Sequence, residues 1–280
     1  MTGIFAPDVS TFQVAVDDSF NRDWLIFRVC FNGTIDAHAK QNLAWAVKAK
    51  ASGKIKGFTG YVVPLSGGND ACLKSLDAVG FPTDAVVMID AEKWNGQPYQ
   101  INGDHSQQFN NLATALRQRQ DGRDDLVWAY GNQGPDLEVW PHKAAWLGWV
   151  VASYTSGPQP TLPANAVGWQ YTDGEPRYDN PNRPHSTPPF GRCDHNVLFK
   201  LPEDDVPLTD ADIAKIKQAV VDPAGDTIAG ELRKIDNILA AVNGLAKQLA
   251  AVKSELDAVK AAQGAPAGGT LNVTGTLKVS

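Results

Sequence analysis

Asp90 and Glu92 close the apolar run Val86-Val87-Met88-Ile89, and two carboxyls so placed could do acid–base work on a glycosidic bond. Such hydrolysis needs one carboxylic acid to protonate the leaving oxygen. A second carboxylate, or a substrate group it orients, stabilises the positive anomeric centre. As i and i+2 neighbours on an extended segment, the two side chains point to one side. Crowding raises the pKa of at least one of them, as a general acid requires near neutral pH. Taken alone, D-x-E is a weak signal, because an acidic chain of this length contains one by chance; its place after a buried strand gives it weight. Asp8 closes another apolar run, Phe5-Ala6-Pro7-Asp8, and Asp194 stands just before a third, in Cys193-Asp194-His195-Asn196. For either of these taken singly, a turn or helix-cap role is the plainer reading.

Elements that could gather these residues are spread over the first 200 positions. Eight short apolar or β-branched runs, near 3–9, 24–31, 57–63, 85–90, 126–130, 145–153, 167–171 and 196–199, alternate with turn residues or helical patterns. The helix-compatible stretches are 36–51, 70–79 and 106–118. This is the layout of an α/β fold, a (β/α)8-type parallel barrel, whose active face lies at the carboxyl ends of its strands. The later connections are short and rich in Pro and Gly, so the second half of the barrel is expected to be irregular and to lack some helices. Strands one and eight are neighbours in a closed barrel, which would bring Asp8 and Asp194 to one pocket.

After Lys200 Trp, Tyr and Phe disappear, and a domain boundary is expected there. Residues 1–203 form the expected barrel. Residues 204–227 read as a linker with a short helix, opened by Thr209 and Asp212 as a capping box and broken at Pro223 and Gly225. From 228 to 262 a heptad repeat places Ile228, Ile235, Val242, Leu249 and Leu256 at one seam position and Ile238, Leu245, Val252 and Val259 at the other. That is a coiled-coil pattern, and β-branched residues at both positions favour a homotrimer. Residues 263–280 read as a Gly/Ala/Pro linker and an alternating β-strand tail.

With 280 residues and a formal charge of −6, the chain lacks the basic surface on which nucleic-acid binding rests. No apolar run reaches membrane-spanning length, and residues 1–8 lack the basic start and apolar stretch of a signal peptide. Three scattered cysteines make no disulfide framework or C-x-x-C pair, and the five histidines show no metal-ligand spacing, so neither a metal nor another cofactor is expected.

Four motifs, in order, resemble glycoside hydrolase family 25, the lysozyme-type muramidases that include bacteriophage lysins. They are Asp8-Val9-Ser10-Thr11-Phe12-Gln13, Ile89-Asp90-Ala91-Glu92, Gly168-Trp169-Gln170-Tyr171-Thr172 and Asp194-His195-Asn196-Val197-Leu198-Phe199, and the likeness covers roughly residues 3–200. The resemblance implies that Glu92 is the general acid/base and that Asp90 orients and polarises the reacting sugar or its acetamido group. Asp8 and Asp194 would complete an acidic floor. Tyr61 and Tyr130 match places where the family sets pocket aromatics, and Trp94, Trp169 and Tyr171 are further candidates to touch the sugar; for a single tryptophan, core packing is an equal reading. Phe27-Arg28-Val29-Cys30-Phe31-Asn32-Gly33, Lys93-Trp94 and the Pro-rich stretch 176–189 depart from the family pattern.

The function implied is cleavage of the β-1,4 bond between N-acetylmuramic acid and N-acetylglucosamine in peptidoglycan. The alternatives are a barrel that grips glycans without cutting them, or a structural tail or fibre protein that uses the same barrel. The coiled coil and strand-like terminus resemble virion tail proteins, so the expected setting is a virion tail, with other tail proteins as partners, or a host-cell lysate.

Overall fold

The computed structural model describes residues 3–202 and residue 252. The chain divides into two units, Met1–Asp204 and Asp205–Ser280. The fold below is that of the first; the expected linker helix, coiled coil and β tail lie outside the described residues.

Eight strands close into a barrel. They are β1 (Ile4–Val9), β2 (Trp24–Phe31), β3 (Gly57–Val63), β4 (Val86–Asp90), β5 (Val127–Asn132), β6 (Gly148–Ala152), β7 (Ala166–Thr172) and β8 (Asp194–Leu198). From β1 to β7 each strand lies parallel to the next, and β8 closes the ring between β7 and β1. The expectation of a wholly parallel barrel is corrected at β8, which runs antiparallel to both neighbours. The reason lies in the connection: a parallel strand needs a crossover that returns the length of the sheet. Between Thr172 and Asp194 the chain makes only a helical turn at Pro176–Tyr178 and a small hairpin, Ser186–Thr187 with Gly191–Arg192. It stays at the rim where β7 ended and re-enters in the opposite direction.

Strand side chains alternate between two environments. Leu25, Phe27, Val29, Val87, Ile89, Val127 and Ala129 point outward and pack under the helices α1 (Ala39–Ala51), α2 (Asn69–Val79) and α3 (Ser106–Arg119), against Leu43, Ala46, Leu76, Phe109, Leu112 and Leu116. Trp24, Ile26, Val86, Met88, Trp128, Val150 and Leu198 point inward and fill the barrel. Trp24 and Trp128 stack there with ring centroids 6.3 Å apart. Their indole N–H groups donate to Thr59 Oγ1 and the Asp125 carbonyl, each at 3.0 Å. Burial on both faces is why β3 and β4 read as nearly continuous apolar runs rather than alternating, with Thr59 inside β3 and Asp90 at the end of β4 as the exceptions. Each large side chain so buried contributes about 2 kcal/mol.

Helices form where the sequence offers an apolar face and a stop. α2 ends at Gly80, whose left-handed φ of 71° a side chain would strain. α3 carries Arg117 and Arg119 in its last turn, favourable against the helix dipole. α1 starts at Ala39 rather than at Asp36, because the Asp36 carboxylate is taken by Arg28 Nε and by the Thr11 amide, both at 2.9 Å. The second half is irregular as expected. Only the five-residue α4 (Pro135–Val139) follows β5, and the β6–β7 connection has no helix. At the amino ends of the strands, Trp24, Gly57, Val86, Leu126, Leu201 and Pro202 border a cavity of about 370 Å³.

Candidate active site

Alternation that fills the lower barrel with apolar groups sends a different set inward at the other rim. Asp8, Arg28, Tyr61, Asp90, Tyr130 and Gln170 continue the inward-facing series of β1, β2, β3, β4, β5 and β7. Asp8 pairs with Asp194 in register, Arg28 with Tyr61, and Asp90 with Tyr130. Asp194 opens its strand whereas Asp8 and Asp90 stand near the ends of theirs. It reaches the same rim because β8 runs backwards.

Crowding at the rim raises the acids together. Burial raises the Asp8 carboxyl well above the usual range, and the charges of Asp194 and Glu92 raise it further. Burial likewise raises Glu92, with added repulsion from Asp90, Asp136 and Asp194. Asp90 is pushed up to about 8, mainly by burial; its interaction with Glu92 lowers Asp90 and raises Glu92. Asp194 is pushed up to about 7, mainly by burial and then by Asp173. Arg28 opposes the rise at Asp8 and Asp90. Its Nε is held by Asp36 and its guanidinium lies 5.6 Å from the Phe12 ring centroid and 5.9 Å from that of Phe31. A buried carboxyl raised further by its acidic neighbours, as Glu92 is, stays protonated at the pH where acid catalysis needs it.

Two walls flank the acids. On one, Tyr130 and Tyr154 both donate their hydroxyls to Gln170 Oε1, at 2.5 and 2.9 Å, and lie 3.2 Å from each other. On the other, Trp94 meets Phe31 and Tyr99 edge to face, at 5.8 and 5.7 Å. Trp94 sits at a left-handed φ of 53°, in the sharp turn that follows Glu92. Asp90 Oδ1 and Trp94 Nε1 are buried and have no hydrogen-bond partner among the described residues. Among the described residues no group of three or more His, Cys, Asp or Glu could hold a metal ion.

No protein-family model matches the chain. Over 201 residues it is 33% identical to the uncharacterized protein Rv3766 of Mycobacterium tuberculosis, covering 70% of this chain and 69% of Rv3766. The chain belongs to the family of Rv3766. The modular autolysin LytC of Streptococcus pneumoniae, solved alone and with a synthetic peptidoglycan ligand, shares the fold at a TM-score of 0.51 and 16% identity. That superposition covers 70% of this chain and 47% of LytC, so the chain spans about half of LytC's length. A family 25 glycosyl hydrolase from Bacillus anthracis superposes at a TM-score of 0.47 and 16% identity, over 71% of this chain and 90% of that one.

Within this Rv3766-family barrel, Asp8, Asp90, Glu92, Asp194, Tyr61, Trp94 and Tyr130 are gathered at one rim. Trp169 and Tyr171 are not. They flank inward-facing Gln170 and so point out of the barrel, where they pack with Phe5, Val197 and Phe199. Arg183 lies over both rings, at 4.8 and 4.9 Å, and their polar atoms donate to the Ser153 and Pro184 carbonyls. Period-two alternation rules out that three consecutive residues share a face. Sequence reasoning passed over Arg28, Gln170, Tyr154 and Asp136. Arg28 and Gln170 had a signal, a polar residue at inward spacing from Ile26 and from Gly168. Tyr154 and Asp136 lie in connections and had none.

Proposed function

We propose that this chain is a peptidoglycan-cleaving muramidase that hydrolyses the β-1,4 bond between N-acetylmuramic acid and N-acetylglucosamine. The observation that carries the reading is the convergence of Asp8, Asp90, Glu92 and Asp194 on one inner rim of the barrel, where Asp8 pairs with Asp194 in register and burial with neighbouring charge raises Glu92. Glu92 gives that proton to the oxygen of the departing sugar. Asp90, raised by burial with Arg28 opposing the rise, faces the positive charge that grows at the anomeric carbon and orients the acetamido group. Glu92, now a carboxylate, takes a proton from the water that completes hydrolysis and is restored. Asp8 and Asp194 hold substrate hydroxyls, Tyr61 and Tyr130 border the sugar, and Trp94 offers its face to it. The unpartnered Asp90 Oδ1 and Trp94 Nε1 support this, since buried polar groups left single are costly unless something bound there completes them. The four family-25-like motifs and the fold shared with LytC support the substrate class.

The test is digestion of purified cell walls followed by mass spectrometry of the fragments. Reducing-end N-acetylmuramic acid from the parent and none from Glu92→Gln is the expected result. Equal clearing by both proteins removes the assignment, and glycan binding without reducing ends makes the barrel a binding module. We also propose that residues 228–262 assemble the chain as a homotrimer and that it is displayed on a virion tail beside other tail proteins or acts as a free lysin. Light scattering of the whole chain against one ending at Asp204 checks the first point, a monomeric whole chain refuting it. Presence or absence of the polypeptide in purified particles decides the second.

A further inference from the structure

We infer that Asp136 is a positioning residue for Glu92: its carboxylate clasps the peptide that carries the acid and fixes it against the next strand of the barrel. This rests on the reading of Glu92 given above. Asp136 is 4% exposed, on α4, and takes no part in the acid–base scheme. Its Oδ1 accepts from the Lys93 amide at 2.9 Å, and its Oδ2 from the Asn132 amide at 2.8 Å. The first N–H belongs to the Glu92–Lys93 peptide bond; the second to the last residue of β5. One carboxylate thus ties the exit of β4 to the exit of β5 with two charge-assisted hydrogen bonds.

Everything around it tightens the same point. Lys93 is held a second time through its carbonyl, which accepts from Ile101 N–H at 3.0 Å, and a third through its ammonium, paired with Glu138. Asn132 Oδ1 in turn accepts from the Gly134 amide at 2.8 Å and the Asp136 amide at 3.3 Å, closing the loop that presents Asp136. Gly131 leaves the room: a Cβ there would stand 3.2 Å from Asp136 Cβ, and its φ is 153°. Glu92 stands two residues past β4 and outside any ladder, so without this clasp nothing in the sheet would set its direction.

The same carboxylate acts through space. Glu92 is faced by Asp90 on β4, Asp8 on β1, Asp194 on β8, Tyr130 on β5, Tyr154 after β6 and Asp136 on α4. Asp136, whose charge is opposed by Lys143, adds to the repulsion that keeps Glu92 protonated. Lys143 is anchored on its far side, with Nζ 2.8 Å from the Trp140 carbonyl and 4.3 Å from the Trp149 ring centroid.

Asp136→Asn removes the charge and leaves one acceptor for two donors. Carboxyl-carbon NMR of Glu92 should show its titration midpoint falling by about one pH unit in this variant. Wall digestion should show kcat down about tenfold with KM within about twofold, and the alkaline limb of the rate profile moved to lower pH. Glu138→Gln, which breaks only the outer ion pair of Lys93, should leave the Glu92 midpoint in place. A folded Asp136→Asn variant with an unmoved midpoint overturns the inference, whether or not the protein cuts walls. If that variant does not fold, the parent carries the test: the Lys93 and Asn132 amide protons should resist exchange and titrate together with the Asp136 carboxyl. Free exchange at either amide overturns the clasp.

Discussion

The two ends of the barrel interior are built from the same strands by the same alternation and have opposite contents. Toward the amino ends, Trp24, Val86, Met88, Trp128 and Leu198 fill the space with apolar volume. Two to four residues away along each strand, the rim holds Asp8, Arg28, Asp90, Tyr130 and Asp194, groups that folding alone would keep out of a low-dielectric interior. The lower layers supply packing that the upper layer lacks, and they hold rigidly a set of charges that repel one another. Stability and chemistry therefore occupy one set of strands, at successive inward positions.

Substitutions at the two levels should separate these roles. The largest effect is expected from Glu92→Gln, a loss of at least about 100-fold in reducing-end release with an unchanged circular dichroism spectrum. Next comes Trp128→Ala in the lower layer, which should destabilise by about 3–5 kcal/mol in urea unfolding while the molecules still folded keep their turnover. If that variant loses turnover as fast as Glu92→Gln, the two levels are not separable.

Asp194→Asn is expected to stabilise. The Asp194 carboxyl is pushed up to about 7 in the folded protein against an ordinary 3.8, so the folded state binds the extra proton between these values. Its contribution is full below the lower value and lost as pH rises through the upper one. The asparagine variant should gain of the order of 1 kcal/mol at pH 8 over its difference at pH 3.5, seen in paired unfolding curves. A constant difference between the proteins across that range would show that Asp194 is not strained by burial. The smallest effect is expected at Trp169→Phe, outside the barrel, with KM within about twofold of the parent; Trp94→Phe should raise it several-fold.

Much of the fold was legible because the barrel strands are short apolar runs set between turn signals, and β2 and β3 fall at the limits the sequence suggests. Asp90 and Glu92 were legible for the same reason, a polar pair ending the unbroken apolar stretch of β4. The direction of β8 was not: a five-residue strand reads alike both ways, and only the lack of a crossover helix before it decides. Trp169 and Tyr171 were misplaced because a motif names residues without saying which face each one takes. Asp136 was invisible because its partners are backbone amides, Lys93 and Asn132, and amides leave no trace in residue type.

The reversal of β8 has an outcome at the opposite pole. Had all eight strands run one way, the polypeptide would leave the barrel beside the acids, and any continuation would have to skirt their rim. With one strand turned around, Leu201 and Pro202 emerge among Trp24, Gly57 and Val86, at the amino ends of the strands. Cargo or label fused after Pro202 in an engineered version would start from the pole opposite the acids.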